Sequence, residues 1–286
     1  MLRVIPAYLF VLGAYFLVPD FSERPTIAPL WRFLTFTLNF GLDAGQAFSQ
    51  GWSLCVEEHF YLLLPLLVVV LMRKPSMAKT VTIAVAIVLA GMLLRGALWI
   101  HFISPDYISS STPVRYLETI YYPTYNRLDG LLTGVLVAAL RLFRPLWWER
   151  LTDHGNALLA GGLLVLVGAF WICQSMFSLA TAVVGYPLLA LGFGLVVMGA
   201  LMPGSLFGRR RIWGAAPIAL LSYSLYLTHK EVMHLDNQYL GGVFGSGRGN
   251  RLLLHTITFG LVAGSIYFLV ERPALGLRNR CLARDG

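Results

Sequence analysis

The sequence predicts an all-α fold: a polytopic membrane helix bundle of about eight transmembrane helices with both termini cytoplasmic. Three observations carry that expectation. The 286 residues are 57% hydrophobic and 13% charged, whereas an ordinary soluble domain carries about 25% charged residues. The apolar residues come in helix-length runs of Leu, Val, Ala and Gly, without the period-two alternation of a membrane β-barrel. The basic residues sort to one side of those runs, as the positive-inside rule requires. Residues 1–286 therefore read as a single integral membrane domain.

The runs fall at about Leu2–Val18, His59–Met72, Ala78–Phe102, Arg127–Phe143, Asn156–Cys173, Leu179–Met202, Ala215–Met233 and Leu252–Val270. Crossing a bilayer takes about 20 residues, and the second run reaches that length only by including its polar entry. The first run follows Arg3 and could pass for a signal peptide. Pro6 interrupts it, however, and Val18-Pro19-Asp20-Phe21 offers no small-residue cleavage site, so it reads as a retained helix.

With the N-terminus inside, alternation puts Arg3, Arg73, Lys74, Lys79, Arg141, Arg144, Arg150, Arg209, Arg210, Arg211, Arg272, Arg278, Arg280 and Arg284 in the cytoplasm, 14 of the 22 basic residues. Asp20, Glu23, Asp43, Glu57, Glu58, Asp106, Glu118, Asp129, Glu231 and Asp236 fall on or near the outer side, 10 of the 14 acids. The reversed topology would put the basic clusters outside. This sorting also explains the net charge of +8 without nucleic acid.

The long outer segments are Asp20–Glu58, Ile103–Asn126 and His234–Arg251. Loops of that length usually do work or cover something. Trp31–Asn39 is apolar, short and interrupted by Arg32, which fits an interfacial or re-entrant helix better than a ninth span. Ser109–Pro113 is turn-rich, and Gly241–Gly249 reads as a flexible loop without the strand–turn–helix setting of a phosphate loop. Cys55, Cys173 and Cys281 form no CxxC or Cys/His metal pattern, so no metal is expected; they read as small apolar fillers.

Polar groups inside spans cost about 2.5–3.5 kcal/mol each if charged at mid-helix, so they are candidates for chemistry. Arg95 lies within the third span. Arg127 and Asp129 open the fourth. Ser222, Tyr226 and His229 follow i, i+4, i+7 spacing near the outer end of the seventh, beside Lys230 and Glu231. Glu57, Glu58 and His59 stand at the mouth of the second, where Glu57 and Tyr61 share a helix face. Each has a structural explanation taken singly. Arg127 and Asp129 could pair with neighbouring helices merely to permit insertion, and Tyr223, Tyr226 and Trp52 could be aromatic-belt anchors. Jointly, a structural bundle has little need for so many ionisable groups on one side.

These motifs resemble those of the acyltransferase-3 family of membrane O-acyltransferases. Trp52-Ser53-Leu54-Cys55-Val56-Glu57-Glu58-His59-Phe60-Tyr61 is similar to its Trp-Ser-Leu-x-x-Glu-x-x-Phe-Tyr element. Asn126-Arg127-Leu128-Asp129-Gly130 resembles its Arg-x-Asp helix start, and Ser222-Tyr223-Ser224-Leu225-Tyr226-Leu227-Thr228-His229 its Ser-Tyr-x-Leu-Tyr-Leu-x-His helix. Glu271-Arg272-Pro273 resembles the motif closing its last span, and Arg3-Val4-Ile5-Pro6-Ala7-Tyr8 the entry to an early internal helix. The matches run in family order across nearly the whole chain.

The resemblance implies transfer of an acyl group, often acetyl, from cytoplasmic acyl-CoA to a hydroxyl of a cell-surface or exported sugar or a lipid-linked glycan. It implies acyl-CoA as donor substrate with no bound cofactor, membrane lipids as surroundings, and the bacterial inner membrane as location. It assigns Glu57, Arg127 and Asp129 to catalysis, and Trp52, Ser53, Glu58, Tyr61, Ser222, Tyr223, Tyr226 and His229 to substrate binding. Two departures stand out. Members usually begin with two further helices carrying an Arg and, about ten residues on, a His that serves as general base. No equivalent is found from Met1 onward, so the expectation is an N-terminally incomplete domain whose missing helices a second chain could supply. Where the family often has Trp-His-x-Pro, this chain has Thr228-His229-Lys230-Glu231. The alternative is an inactive relative that binds or transports a membrane glycan or lipid. A more distant one is an ion-coupled transporter using Arg95, Arg127 and Asp129.

Overall fold

The computed structural model describes residues 4–73, 75–209, 212–241 and 247–282. Arg3, Lys74, Arg210, Arg211 and Arg284 of the expected cytoplasmic set, residues 242–246 of the glycine-rich loop, and the side chains of Arg278 and Cys281 lie outside the described residues.

Every regular element among the described residues is helical. In chain order they are α1 (Ile5–Leu17), α2 (Leu30–Leu34), α3 (Gly51–Met72), α4 (Met77–Leu98), α5 (Thr112–Tyr116), α6 (Asp129–Phe143), α7 (Pro145–Thr152), α8 (Gly155–Ile172), α9 (Tyr186–Leu201), α10 (Leu206–Arg209), α11 (Ala215–Leu235), α12 (Arg248–Ile266) and α13 (Arg272–Leu282). Wider π-type turns prolong α4 through Trp99–Ile103 and lead into α9 over Thr181–Gly185. Local chemistry sets several boundaries. The Ser76 hydroxyl accepts the Lys79 N–H to cap α4. Pro145 starts α7 at a position where its missing N–H costs nothing. Gly214, at φ 82°, turns the chain into α11.

Among the described residues, five helices are long and apolar enough to cross a membrane: Gly51–Met72, Met77–Asp106, Gly155–Ile172, Thr181–Arg209 and Arg248–Leu277. The pair α6 and α7 makes a sixth only as a broken span, bent by 104°. The molecule is thus an all-helical integral membrane protein whose described residues show five clear spans, or six with the broken pair, where the sequence predicts eight. α1 has 13 residues, about 20 Å of helix against a hydrocarbon core of about 30 Å. α11 has the length, at 21 residues, but Ser222, Ser224, Thr228, His229, Lys230 and Glu231 make it too polar to be a clear span. Of the short helix expected over Trp31–Asn39, only α2 (Leu30–Leu34) forms, far too short to span. α3 begins at Gly51 and takes in the whole polar entry, which is how that span reaches 22 residues. Cys55 and Cys173 are both free thiols.

The chain divides into two compact units. The central unit comprises Ala28–Ala44 and Gly51–Arg211. In it α8 packs along α9, α9 against α6, and α6 against α4, over a core of Ile103, Tyr116, Ile120, Ala182 and Tyr186. The α8–α9 seam needs glycine: a Cβ on Gly162 would lie 2.9 Å from the Gly192 carbonyl oxygen, and one on Gly199 2.9 Å from that of Gly155. Small residues let backbones approach where lipid supplies no hydrophobic drive between helices.

The terminal unit comprises Met1–Ile27, Gly45–Gln50 and Ile212–Gly286. Here α11 packs on α12 and α1 on α11. Several of its buried polar groups pair across elements. Ser224 donates to the Glu271 carboxylate, and Asp236 meets His255 Nδ1 at 2.8 Å and the Thr258 hydroxyl at 2.6 Å. The Gln50 amide donates to Glu231 at 2.8 Å. Phe48, buried at φ 51°, is held between the Tyr8 and Tyr15 rings with centroids 5.7 and 4.6 Å away.

Candidate functional site

The most chemically loaded part of the central unit starts from Arg95. A lone arginine in an apolar helix must find anions or carbonyls to be tolerated, and Arg95, only 1% exposed, finds both. Its Nε donates to the Ala182 carbonyl at 2.6 Å, and its Nη1 to the Asn126 carbonyl at 2.6 Å and to Asp129 Oδ2 at 2.9 Å. Asp129 is buried at the first turn of α6, where the helix N-terminus also favours a carboxylate. One guanidinium therefore clamps α4, the start of α6 and the turn before α9.

The clamp leaves Arg127 without that carboxylate. Among the described residues, no acid lies within ion-pair distance of it. It is caged by aromatic faces instead: its guanidinium carbon is 4.4 Å from the Tyr186 ring centroid, 4.7 Å from Tyr121 and 5.3 Å from Trp52. Rings attract a cation through their negative faces without neutralising it. The phenols packed around the cage stay protonated: burial first, then the Tyr186 hydroxyl 3.0 Å away, pushes Tyr116 far up, and burial followed by Tyr121 and Glu118 pushes Tyr122 up. Arg127 is thus held by ring faces rather than by a carboxylate in hydrogen-bond contact.

What it faces is a groove. A cavity of about 950 Å³ runs between α6 and α9, with Arg127 and Asp129 at one end and Arg141 with Trp148 at the other. Asp129 and Arg141 are 12 residues apart on one helix, which is about 18 Å. The walls between are apolar: Val137, Ala138, Leu189, Ala190, Phe193 and Val197. At Gly130 and Gly134 an added Cβ would meet nothing within 4 Å, so α6 presents bare backbone to the groove. Arg141 stands 5.7 Å over the Trp148 ring at the far mouth. The groove is a slender apolar passage with a cation at each end.

The sequence-predicted residues divide accordingly. Trp52, Arg127 and Asp129 come together. Glu57 and Tyr61 share a face of α3, as their spacing requires, but both are exposed and line neither the cage nor the groove. Ser53 and Glu58 are half-buried on the same helix. His59, also on α3, approaches the Thr124 hydroxyl at 2.7 Å, and that oxygen accepts from the Asn39 amide at 2.6 Å.

The α11 residues belong to the terminal unit. Ser222 bonds back to the Ala219 carbonyl, while the Tyr223 and Tyr226 hydroxyls donate to the carbonyls of Val4 and Gln50 at 3.0 and 2.8 Å. His229 Nδ1 lies 2.7 Å from the Tyr226 carbonyl. A carbonyl only accepts, so Nδ1 is the donor in this contact.

Sequence reasoning did not assign Arg95, Tyr121 or Tyr186 to the site. Arg95 was conspicuous as a charge inside a span. Nothing local marks Tyr121 and Tyr186, which reach Arg127 only through the fold. Among the described residues no cluster of His, Cys, Asp and Glu could hold a metal ion.

Fold and groove together define an all-helical integral membrane protein with a largely apolar groove between α6 and α9. The chain belongs to the acyltransferase-3 family, whose model, described as an acyltransferase domain, matches residues 1–270. It is 24% identical over 296 residues to the O-acetyltransferase OatA of Staphylococcus aureus strain NCTC 8325 / PS 47, covering 95% of this chain and 45% of that protein. The same figures hold for OatA of strain COL. An uncharacterized protein of Haemophilus influenzae is 29% identical over 154 residues, covering 48% of this chain and 58% of that protein. The chain thus spans less than half the length of the OatA relatives it matches. No solved structure matches.

Proposed function

We propose that this chain is a membrane O-acyltransferase of the bacterial inner membrane that moves an acyl group, acetyl in the simplest case, from acyl-CoA to a hydroxyl of a glycan or glycolipid. The acceptor oxygen attacks the thioester carbonyl carbon, the C–S bond breaks, and the products are the O-acyl ester and the CoA thiol. The acceptor's proton ends on the thiol sulfur.

The observation that carries this reading is the groove with a cation at each end. An acyl-CoA is an elongated molecule with phosphates at one end, a slender arm, and a carbonyl at the other. Arg141 at one mouth suits a phosphate. The apolar walls suit the arm. Arg127, caged by rings rather than bonded to a carboxylate, suits the carbonyl oxygen as negative charge develops on it. Arg95 and Asp129 fix the turn that presents Arg127. The charge sorting supports eight crossings with both ends cytoplasmic, in which α1 and α11 cross with partners, and it puts Arg141 on the CoA side. Trp52 belongs to the cage, whereas Ser53, Glu57, Glu58 and Tyr61 on α3 and Ser222, Tyr223, Tyr226 and His229 on α11 are assigned to the acceptor.

The test is transfer of radiolabelled acetyl from acetyl-CoA by the purified chain in lipid nanodiscs to a glycan acceptor. The expected result is acceptor labelling that Arg127→Gln abolishes. Tight acetyl-CoA binding without transfer to any hydroxyl acceptor would favour the inactive binding relative instead.

A further inference from the structure

The terminal unit has a cavity of its own that the donor reading leaves unused. It measures about 410 Å³ and is lined by Glu23 and Arg24, by Ser49 from the segment Gly45–Gln50, and by Lys230, His234 and Asn237 from α11 and the turn after it. Its character is opposite to that of the groove. Lys230 is half-buried, and its Nζ donates to the Ser49 hydroxyl at 2.5 Å. Arg24 is exposed. Among the described residues neither has a carboxylate within ion-pair distance.

The one acid in the wall is already committed. Glu23 Oε2 accepts from the Tyr15 hydroxyl at 2.9 Å, and Oε1 from the Phe48 N–H at 3.2 Å. Two cations and a histidine therefore line a space with one carboxylate, Glu23, whose oxygens already accept from Tyr15 and Phe48 and whose single charge offsets only one of the two cations. Partial desolvation of Lys230 is costly unless an anion meets it. The volume is more than ten times the ~30 Å³ share of one water, so a bare ion would leave most of it to solvent. Within the rest of the lining, the Asn237 amide and the Ser49 hydroxyl offer hydrogen bonds to hydroxyls, and the Met233 side chain offers an apolar face to C–H groups. That mixture suits a sugar ring.

We propose that this cavity is a subsite for an anionic sugar, one carrying a carboxylate or a phosphate ester, gripped by Lys230 and Arg24. As a description of the acceptor it rests on the acyl-transfer reading; as a binding site it does not. It gives a purpose to Lys230, which stands where the family sequence pattern departs.

The experiment uses the full chain in nanodiscs of uncharged lipid and follows ligand-induced thermal stabilisation at constant ionic strength. The probes are glucuronate, glucose 1-phosphate, inorganic phosphate and glucose. Stabilisation by either anionic sugar, beyond what glucose or inorganic phosphate gives, is expected. The stronger of the two tells whether the anion comes from an acidic glycan residue or from a sugar phosphate such as a carrier lipid bears. Lys230→Gln and Arg24→Gln should each weaken binding about tenfold or more, since charge-assisted bonds are the strong ones, and Lys230→Arg should retain it. The proposal fails if glucose or inorganic phosphate matches the anionic sugars, if no anionic sugar binds, or if both glutamine variants bind as before. Acetyl transfer, scored separately on the same preparation, decides the donor reading independently.

Discussion

Arg127 and Arg95 are both arginines beside aspartate in the membrane, yet they are set up for different ends. Arg95 has its anion and its carbonyls and serves the structure. Asp129→Ala would leave a buried guanidinium uncompensated, and the expected loss is about 3–5 kcal/mol, read as a fall in the thermal midpoint in detergent. Replacing Arg95 and Asp129 together by apolar residues of similar volume should recover most of that loss. Arg127 has rings and no anion. Arg127→Gln should leave the midpoint near wild type while cutting acetyl transfer about a hundredfold or more. Arg127→Lys should restore only part, because an ammonium keeps the charge but loses the planar stack. Wild-type transfer in Arg127→Gln would remove the arginine from the chemistry. At this scale the sequence was half legible. The Arg127/Asp129 pair was marked by its cost in a membrane, but which arginine takes the aspartate depends on the approach of α4 to α6, and no local pattern records that.

The helices show a division of labour between close packing and deliberate gaps. Gly162 and Gly199 let α8 and α9 touch backbone to backbone, whereas Gly161 and Gly168 on α8 face open space. Gly162→Leu should therefore lower the thermal midpoint by several degrees, and Gly168→Leu should leave it unchanged; equal effects would mean that the seam is not what holds the pair. On α6 the gap at Gly134 keeps the groove open. Gly134→Trp is expected to raise KM for acyl-CoA severalfold or more with little change in midpoint, since the new ring enters free space. Helix existence and position were legible here, because length and hydropathy decide them. The polar entry was expected to join the second span, but the start of α3 at Gly51 was not assigned in advance, since nothing local marks Trp52 as helical until the Arg127 cage is seen. The glycines looked alike in sequence, and only the facing helix separates those that pack from those that line a passage.

On the scale of the whole molecule, charge sorting predicts which mouth faces which compartment. In a variant with its own cysteines replaced, Glu149→Cys on α7 should react with a membrane-impermeant maleimide only after the cells are opened, and Asn237→Cys should react in intact spheroplasts. The reverse pattern would invert the topology and move the Arg141 mouth away from cytoplasmic CoA. That the molecule is an all-helical membrane protein was plain from composition. That it consists of two units was not, because the terminal unit is assembled from segments far apart in sequence: Met1–Ile27, Gly45–Gln50 and Ile212–Gly286. This interleaving has a consequence for how the protein is made. At about 5–20 residues per second, the ribosome needs roughly 10–40 s to go from the end of the first segment to the start of the last. Throughout that interval α1 has left the translocon without α11, the helix whose Tyr223 will donate to the Val4 carbonyl. The nascent chain must therefore hold an orphan helix in lipid while the whole central unit is inserted, and stalled synthesis anywhere in that stretch would hand the cell's membrane proteases a recognisable half-built product.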